Sequence, residues 1–572
     1  MQKLNQQKLT RIAEIILLLI FVFGTLFYTN TSFVEKDVLP KVYIFVFFSL
    51  LFGAFLFFRN DWSIQLDRQT VSVLVFIGYI LIVTIITSGR GLHILALVGF
   101  LLLFCYFKNS TIENKHLQII IVSLCLLQAI YGLLQYFQII RIASGFPILG
   151  SFDNPAGFAA CLAVAFPLAF SLLKHSKYYK LFAIISMLVI GVAVVLSESR
   201  AGIVSIGVVS VIFLYSEYHE RLRKVRKYLI PAVLIIGVAM FLLLLSLNRD
   251  SASGRVLIWQ NTWEMVKDAP VLGHGSGAFL AKYMDYQADY FAQNPESRFA
   301  MLADNVQHPF NEYLLLAAEF GFVGLILLFV VLFFLFKSGK IGSPYMLCLI
   351  ALGVFSLFSY PLRYPFVWLI VAYCLAEISR KQKPMFTFSF WKWLKIPALA
   401  CLLVGIYFLK KDISFEYQWN KIAQASLLGK TKEMIPEYER LHRIWNGNHL
   451  FLYNFGAELN HIGEHKKSNV ILRQCVKHFN DYHVQMLLAD NYFQLEMWHE
   501  AKQHYRRAAN MCPNRFVPLY QLHIIALRQS NYEEAKSIAL QILEKQIKVP
   551  SMTVNRIRFE MQQFLREGQD VE

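Results

Sequence analysis

The chain has 572 residues, 56% hydrophobic and 15% aromatic, with 16% charged and a formal net charge of +17. Its mean hydropathy of +0.46, with apolar residues in blocks rather than at a helical or strand period, excludes an ordinary soluble globular protein. The basic residues follow the loops and form no basic face, which argues against a nucleic-acid partner.

About thirteen apolar stretches approach the roughly 20 residues that cross a bilayer. They run 12–28, 39–58, 71–87, 92–107, 117–140, 155–173, 180–197, 202–216, 228–247, 310–336, 344–360, 364–378 and 394–409. No small-residue cleavage site follows the first, which reads as a retained span. This predicts an all-α fold, a polytopic transmembrane helical bundle of about 12–13 spans over residues 1–410.

Loop charge orients the bundle. With Lys3, Lys8 and Arg11 inside, the inside segments collect Arg59 and Arg68, Lys108 and Lys115, Lys174, Lys177 and Lys180, a cluster from Arg221 to Lys227, Lys337 and Lys340, and a group from Arg380 to Lys395. The short outside segments keep Lys36, Lys41, Arg90, Arg141, Arg200 and Arg363. The polar segment 248–309, a large outer loop, and everything beyond residue 410 are then expected on the outer face. Cys105, Cys125, Cys161, Cys348, Cys374 and Cys401 fall in or beside apolar spans, where a thiol packs as a small hydrophobe. Cys475 and Cys512 lie in the outer part, where a disulfide is open to them, and no Cys/His metal spacing occurs.

From about residue 414 the composition turns water-soluble and helical. With Tyr482 as position one of a 34-residue unit, Leu488, Ala489, Tyr492, Ala501, Tyr505, Ala508 and Pro513 fall on the positions of a tetratricopeptide repeat. Weaker flanking units carry Gly456, Ser468 and Cys475 before it and Ala535 and Ala539 after it. Residues 411–572 are expected to form an α-solenoid of this repeat type, with an unrelated helical bundle as the alternative. Such solenoids bind a partner or brace a neighbour and do no chemistry.

Chemistry must therefore come from the membrane part and its outer loop. Ser197-Glu198-Ser199-Arg200-Ala201-Gly202 turns between two spans and keeps an arginine against the charge bias, either to hold an anion or to snorkel to headgroups. The loop opens Ser253-Gly254-Arg255, with Val256, Trp259, Trp263 and Val266 as an amphipathic face suited to the membrane surface. It continues through Gly273-His274-Gly275-Ser276-Gly277, a loose likeness to a phosphate loop in which His274 is expected to have no fixed orientation. It re-enters at His308-Pro309-Phe310-Asn311, where Pro309 marks a helix start, and the span proceeds through Glu319-Phe320-Gly321-Phe322-Val323-Gly324.

The order of these pieces, with Gly150-Ser151-Phe152-Asp153-Asn154-Pro155 upstream as a Gly-x-x-x-Asn-Pro turn, resembles the O-antigen ligase superfamily over residues 120 to 380. That superfamily includes O-antigen ligases, Wzy-type polymerases and bacterial O-linked oligosaccharyltransferases. The resemblance implies a bundle like that of the C-type glycosyltransferases, in the bacterial inner membrane with the C-terminal domain periplasmic. It implies transfer of a glycan, with no metal or cofactor, from an undecaprenyl-pyrophosphate carrier to a hydroxyl on a lipid A-core, glycan or protein acceptor. Arg200, Arg255 and Arg141 would hold the donor diphosphate, and Asn154, Ser199 and Asn311 would support the site. His308 would be the general base, with Glu319 either an alternative base or a structural group. A protein partner on the repeat domain is also open.

One departure from the family pattern concerns the base. Counting back eleven positions from Gly321 reaches Phe310, and His308 lies two residues earlier. A polytopic transporter of lipid-linked glycan is the reading from a different class; no inverted repeat of broken helices supports it.

Overall fold

The computed structural model describes residues 2–58, 63–87, 91–142, 144–222, 249–389, 395–445 and 447–569. The expected span 228–247 and the loop cations Arg59, Arg90, Arg223, Lys224, Arg226, Lys227 and Lys392 lie outside the described residues. The chain folds as an all-α polytopic bundle. Among the described residues eight helices are long and apolar enough to cross a membrane. Shorter apolar helices run Pro344–Ser356 and Pro365–Ser379.

The chain divides into two compact units. One holds the N-terminal part of the chain, residues 310–313 and residues 323–417. Its helices are α1 (Gln2–Phe27), α2 (Leu39–Phe58), α3 (Arg68–Thr87), α4 (Gly91–Asn109), α5 (Asn114–Tyr136), α6 (Pro155–Ala165), α7 (Leu168–Leu172), α8 (Lys177–Leu196) and α9 (Arg200–Leu222). Every residue of α6 from Gly157 to Ala165 is buried, because its run of alanines and glycine lets neighbouring helices approach closely. A Cβ on Gly157 would fall 2.4 Å from Cζ of Tyr364. Pro167, which lacks an N–H and crowds the preceding turn, separates α6 from α7. Ile86, Leu188 and Phe329, by contrast, are largely exposed, as suits side chains facing hydrocarbon.

The two ends of α5 mark the two ends of this unit. Gln135 near its C-terminus and Asn114 at its start lie roughly 30 Å apart at 1.5 Å per residue, the thickness of a hydrocarbon core. At the Asn114 end, strand β1 (Ser63–Leu66) pairs antiparallel with β2 (Phe386–Ser389). Lys108 there is buried against Asp67 and Thr70, and Ser379 donates to Asp67 at 2.8 Å. Arg380 donates to the carbonyls of Phe107, Lys108 and Ser110. Lys108 and Arg380 are therefore fixed in the protein as well as contributing to the charge bias.

The second unit takes residues 249–309 and 314–322 together with everything from Gln418 on. The outer loop thus packs with the C-terminal helices, whereas the sequence reading groups it with the membrane bundle. It contains α10 (Arg249–Asp268) and α11 (Ala278–Gln293). Paired helices follow at His449–His461 with His465–Val476, Tyr482–Gln494 with Trp498–Met511, and Val517–Arg528 with Tyr532–Glu544. Tyr482, Leu488, Ala489, Tyr492, Ala501, Tyr505 and Ala508 are all buried in the middle pair and its contacts. Cys475 and Cys512 are buried and free, so no disulfide joins them. Burial pushes both thiols up to about 12.

Helix α11 is seated on the second helix of the middle pair by polar contacts. Arg507 reaches Asp285 at 2.7 Å and Asp289 at 3.3 Å. Gln287 donates to the Met511 carbonyl at 2.7 Å, and Asn480 donates to Asp285 at 3.0 Å. Close by, Arg515 pairs with Asp304 at 3.0 Å, and Asn305 donates to Asp481 at 3.1 Å.

Candidate functional site

The Ser197–Gly202 turn is built by its side chains. Ser197 Oγ donates to the Val194 carbonyl at 2.7 Å at the end of α8, and Glu198 takes a positive φ of 57° to reverse the chain. The amide of Ile203 returns to the Ser199 carbonyl at 3.0 Å, and Ser199 Oγ lies 3.4 Å from the Gly202 amide, so Ser199 occupies the N-cap of α9. Gly202 packs under this turn, where a Cβ would sit 2.8 Å from Val194 and 3.1 Å from Ala159. Arg200 is half-buried in the first turn of α9, and no carboxylate lies within ion-pair distance of it among the described residues. A cation in the first turn of a helix adds to the positive end of the helix dipole, a combination that favours anions.

The Asn154-Pro155 turn lies at the same end of the bundle. Asn154 Oδ1 accepts from the Gly157 amide at 2.9 Å and caps α6, while its Nδ2 donates to the Tyr364 hydroxyl at 2.9 Å. The Tyr364 hydroxyl donates in turn to Asp153 at 3.0 Å. Arg363 bridges Asp153 at 3.3 Å and Glu35 at 3.2 Å, so two carboxylates already compensate its charge. Gln135 Oε1 accepts from the amides of Leu149 and Gly150 at 3.0 and 2.7 Å, and its Nε2 donates to the Gly150 carbonyl at 2.8 Å. Lys41, counted by sequence as an outer-loop charge, is wholly buried. It donates to the carbonyls of Asp37 and Ser151 and lies 4.4 Å over the Phe152 ring. Arg141 is exposed in the loop after α5.

Helix α12 (Glu312–Ser338) begins later than Pro309 suggests. Phe310 takes a positive φ of 53°, and Asn311 Oδ1 then accepts from the Tyr313 amide at 3.0 Å, capping the helix. Asn311 Nδ2 donates to the Leu357 carbonyl at 3.2 Å, and Glu312 accepts from the Leu362 amide at 3.0 Å. The side chains of Asn154, Ser199 and Asn311, named from the resemblance as supporting residues, thus all stand at helix N-caps. His308 lies half-buried in the preceding loop. Pro309 offers its carbonyl to the Trp259 indole N–H at 2.9 Å.

Within the second unit Arg255 is half-buried on α10. That helix buries Leu257, Ile258, Asn261, Thr262, Met265 and Val266. Val256 and Trp263, half of the expected amphipathic face, stay exposed at 50% and 44%. Helix α12 breaks at Gly321, with φ 63° and ψ −169°. The glycine segment Gly273–Gly277 seals that break. The amides of His274 and Gly275 donate to the carbonyls of Ala318 and Glu319 at 2.9 Å each, and the Phe322 amide donates to the Pro270 carbonyl at 2.7 Å. These amides close the end of a helix, so the likeness to a phosphate loop does not hold for them. His274 is also fixed, with Nε2 at 2.9 Å from the Met265 carbonyl and Nδ1 at 3.0 Å from Lys282. Burial lowers its pKa against the raising effect of that carbonyl. Glu319 is buried and accepts from the Phe279 amide at 3.2 Å in the first turn of α11.

Residues 183–329 match the family described as O-Antigen ligase. That stretch is similar to an O-antigen ligase domain. The match runs from α8 through the outer loop into α12 and takes in Ser199, Arg200, Arg255, His308, Asn311, Glu319 and Gly321; Arg141 and Asn154 lie before it. An uncharacterized protein of Haemophilus influenzae is 23% identical over 329 residues, covering 51% of this chain and 79% of that protein. The apolar helices make the chain a multi-pass membrane protein, and the matched stretch is similar to a family of O-antigen ligases.

Sequence reasoning passed over Gln135 and Tyr364, and took Lys41 and Arg363 only as loop charges and Asp153 only as part of its turn. Gln135 carried a readable signal, since a glutamine within an apolar span needs a partner there. Lys41 and Arg363 carried none, because a loop cation and a buried, compensated one look alike in sequence.

Proposed function

We propose that the protein transfers a glycan from an undecaprenyl-pyrophosphate carrier to a hydroxyl acceptor at the periplasmic face of the bacterial inner membrane, in the manner of an O-antigen or polysaccharide ligase. The observation that carries this reading is Arg200: a half-buried guanidinium in the first turn of α9, without a carboxylate partner among the described residues, inside the O-antigen ligase match. Arg363 has two carboxylates and is a structural cation by the same criterion.

In this mechanism Arg200, Arg255 and Arg141 hold the donor diphosphate, because guanidinium forks bind phosphate oxygens bidentately and stay charged in a poorly solvated groove. His308 takes the proton of the acceptor hydroxyl as its oxygen bonds to the anomeric carbon. The bond from that carbon to the diphosphate oxygen breaks, and undecaprenyl pyrophosphate leaves with the electron pair. Fixed cations stabilise the charge that develops on it. Glu319 accepts the Phe279 amide, which supports a structural role for it beside His308 as the proposed base.

The test is transfer by the purified full chain of carrier-linked glycan from host membranes, in the presence of a chelator, to lipid A-core, to glycan or to protein. Label appearing on lipid A-core supports a ligase. Label on growing glycan or on protein reassigns the acceptor to the polymerase or protein-glycosylating branch. Movement of intact donor across vesicles without transfer would replace the enzyme reading with a transporter.

A further inference from the structure

The bundle end that carries Asn154 also holds a preformed cleft of about 430 Å³ between the loop joining α1 to α2 and the loop after α5. The first wall is set by the Asn30 amide on the Lys36 carbonyl at 3.0 Å and by Lys41 on the Asp37 carbonyl at 2.7 Å. The second is set by Gln135, whose carboxamide fixes Leu149 and Gly150. Cleft walls tied to buried polar groups lose little entropy on binding. The volume lies within the range of small-molecule sites.

The lining is chemically mixed and electrically balanced. Phe27 and Tyr131 present aromatic rings, Thr29 and Ser144 present hydroxyls, and Lys36 and Asp37 bring one charge of each sign. The two charged lining residues cancel, and the one further ammonium at this wall, that of Lys41, is buried against the Asp37 and Ser151 carbonyls, so the lining itself presents no surplus cation to a diphosphate. A sugar fits both features: its C–H face covers a ring, and its hydroxyls donate to a carboxylate and accept from an ammonium. Burial raises the Asp37 carboxyl above its ordinary value, against the opposing charges of Lys36 and Lys41, as expected of a group set into a recess. Ile142 lines the cleft, and Arg141 is its chain neighbour.

We propose that this cleft is a saccharide subsite that receives the carrier-proximal sugar of the donor glycan, beside the diphosphate assigned to Arg141; this rests on the proposed function. The test uses glycan released by mild acid from the host's carrier-linked pool, with binding to the detergent-solubilised full chain followed by saturation-transfer NMR. Asp37→Ala should weaken binding about tenfold, the loss expected for one charge-assisted hydrogen bond. Ser144→Phe, which fills the cleft from an exposed position, should abolish the signals while the protein keeps its elution and thermal midpoint. Undecaprenyl pyrophosphate without sugar should bind parent and variants alike. Parent-like glycan binding by both variants, or absence of binding to the parent, overturns the subsite. An equal loss of bare undecaprenyl pyrophosphate would assign the cleft to the diphosphate and overturn it too. Transfer by the parent, assayed separately, tests the proposed function alone, so a parent that binds the glycan but transfers none retires the reaction and not the cleft.

Discussion

Gly273 and Gly321 meet backbone to backbone. A Cβ on Gly273 would sit 2.3 Å from the carbonyl carbon of Glu319, and one on Gly321 would sit 2.2 Å from the Val271 oxygen and 2.6 Å from the Gly273 nitrogen. Both glycines hold positive φ, at 72° and 63°, where side chains are strained. Gly273→Ala and Gly321→Ala should each cost at least about 2 kcal/mol, read as a lower thermal midpoint of the full chain in detergent. A parent-like midpoint for either would mean that the helix break tolerates a side chain.

Arg200 and Arg255 should not accept lysine. An ammonium keeps the charge and loses the bidentate fork, so each Lys variant should transfer glycan about tenfold more slowly or worse, the cost of one charge-assisted hydrogen bond. Transfer at the parental rate by both would make the two arginines interfacial.

The base is tested by a pair of variants. His308→Ala should lower turnover on the order of 10²- to 10⁴-fold with saturating donor over the neutral pH range. Glu319→Gln retains an acceptor oxygen for the Phe279 amide and should keep both fold and rate. The reverse pattern, a folded and inactive Glu319→Gln beside an active His308→Ala, would move the base to Glu319. His274 is a poor silent control, because its ring is tied to Met265 and Lys282, and its replacement should lower stability more than turnover.

Acid should loosen the paired helices before it touches the membrane bundle. His504 stacks on Tyr492 with 5.4 Å between ring centroids and contacts Gln485 at 2.7 Å. Burial, helped by Arg473 and Arg507, lowers its pKa to about 4. His523, bonded to the Ala535 carbonyl at 3.0 Å, is lowered as well, chiefly by burial. The unfolded chain titrates near 6.5 and binds the proton first, so the stability these rings contribute is complete above about 6.5 and is lost as pH falls toward about 4. Hydrogen exchange across residues 482–511 should therefore quicken in that window, and His504→Gln should flatten the slope. Exchange independent of pH-linked stability in the parent would count against a buried neutral ring.

A reporter fused after Lys410 should be active only on the periplasmic side. Activity confined to the cytoplasm would reverse the orientation and remove the periplasmic reaction with it.

Hydropathy by itself was enough for the eight described helices that can cross a membrane, because a run of apolar side chains about 20 residues long has few other solutions. The stretches 39–58, 155–173 and 180–197 accordingly match α2, α6 with α7, and α8 within a few residues. The turn around Arg200 was legible for a local reason too: Ser199 and Gly202 act within a few residues of one another. Tertiary structure alone decided which cations are already compensated. Lys108 reaches Asp67 across two helices, and Arg363 reaches Glu35 across more than three hundred residues. The outer loop's partner was likewise invisible in sequence, since Asp285 and Arg507 become neighbours only when α11 lies along the helix Trp498–Met511. The glycine-rich segment shows the same limit. Composition permits a phosphate loop or a tight packing joint equally, and only the approach of Gly321 to Gly273 makes it a joint, because backbone amides aimed at helix carbonyls are no longer available to an anion.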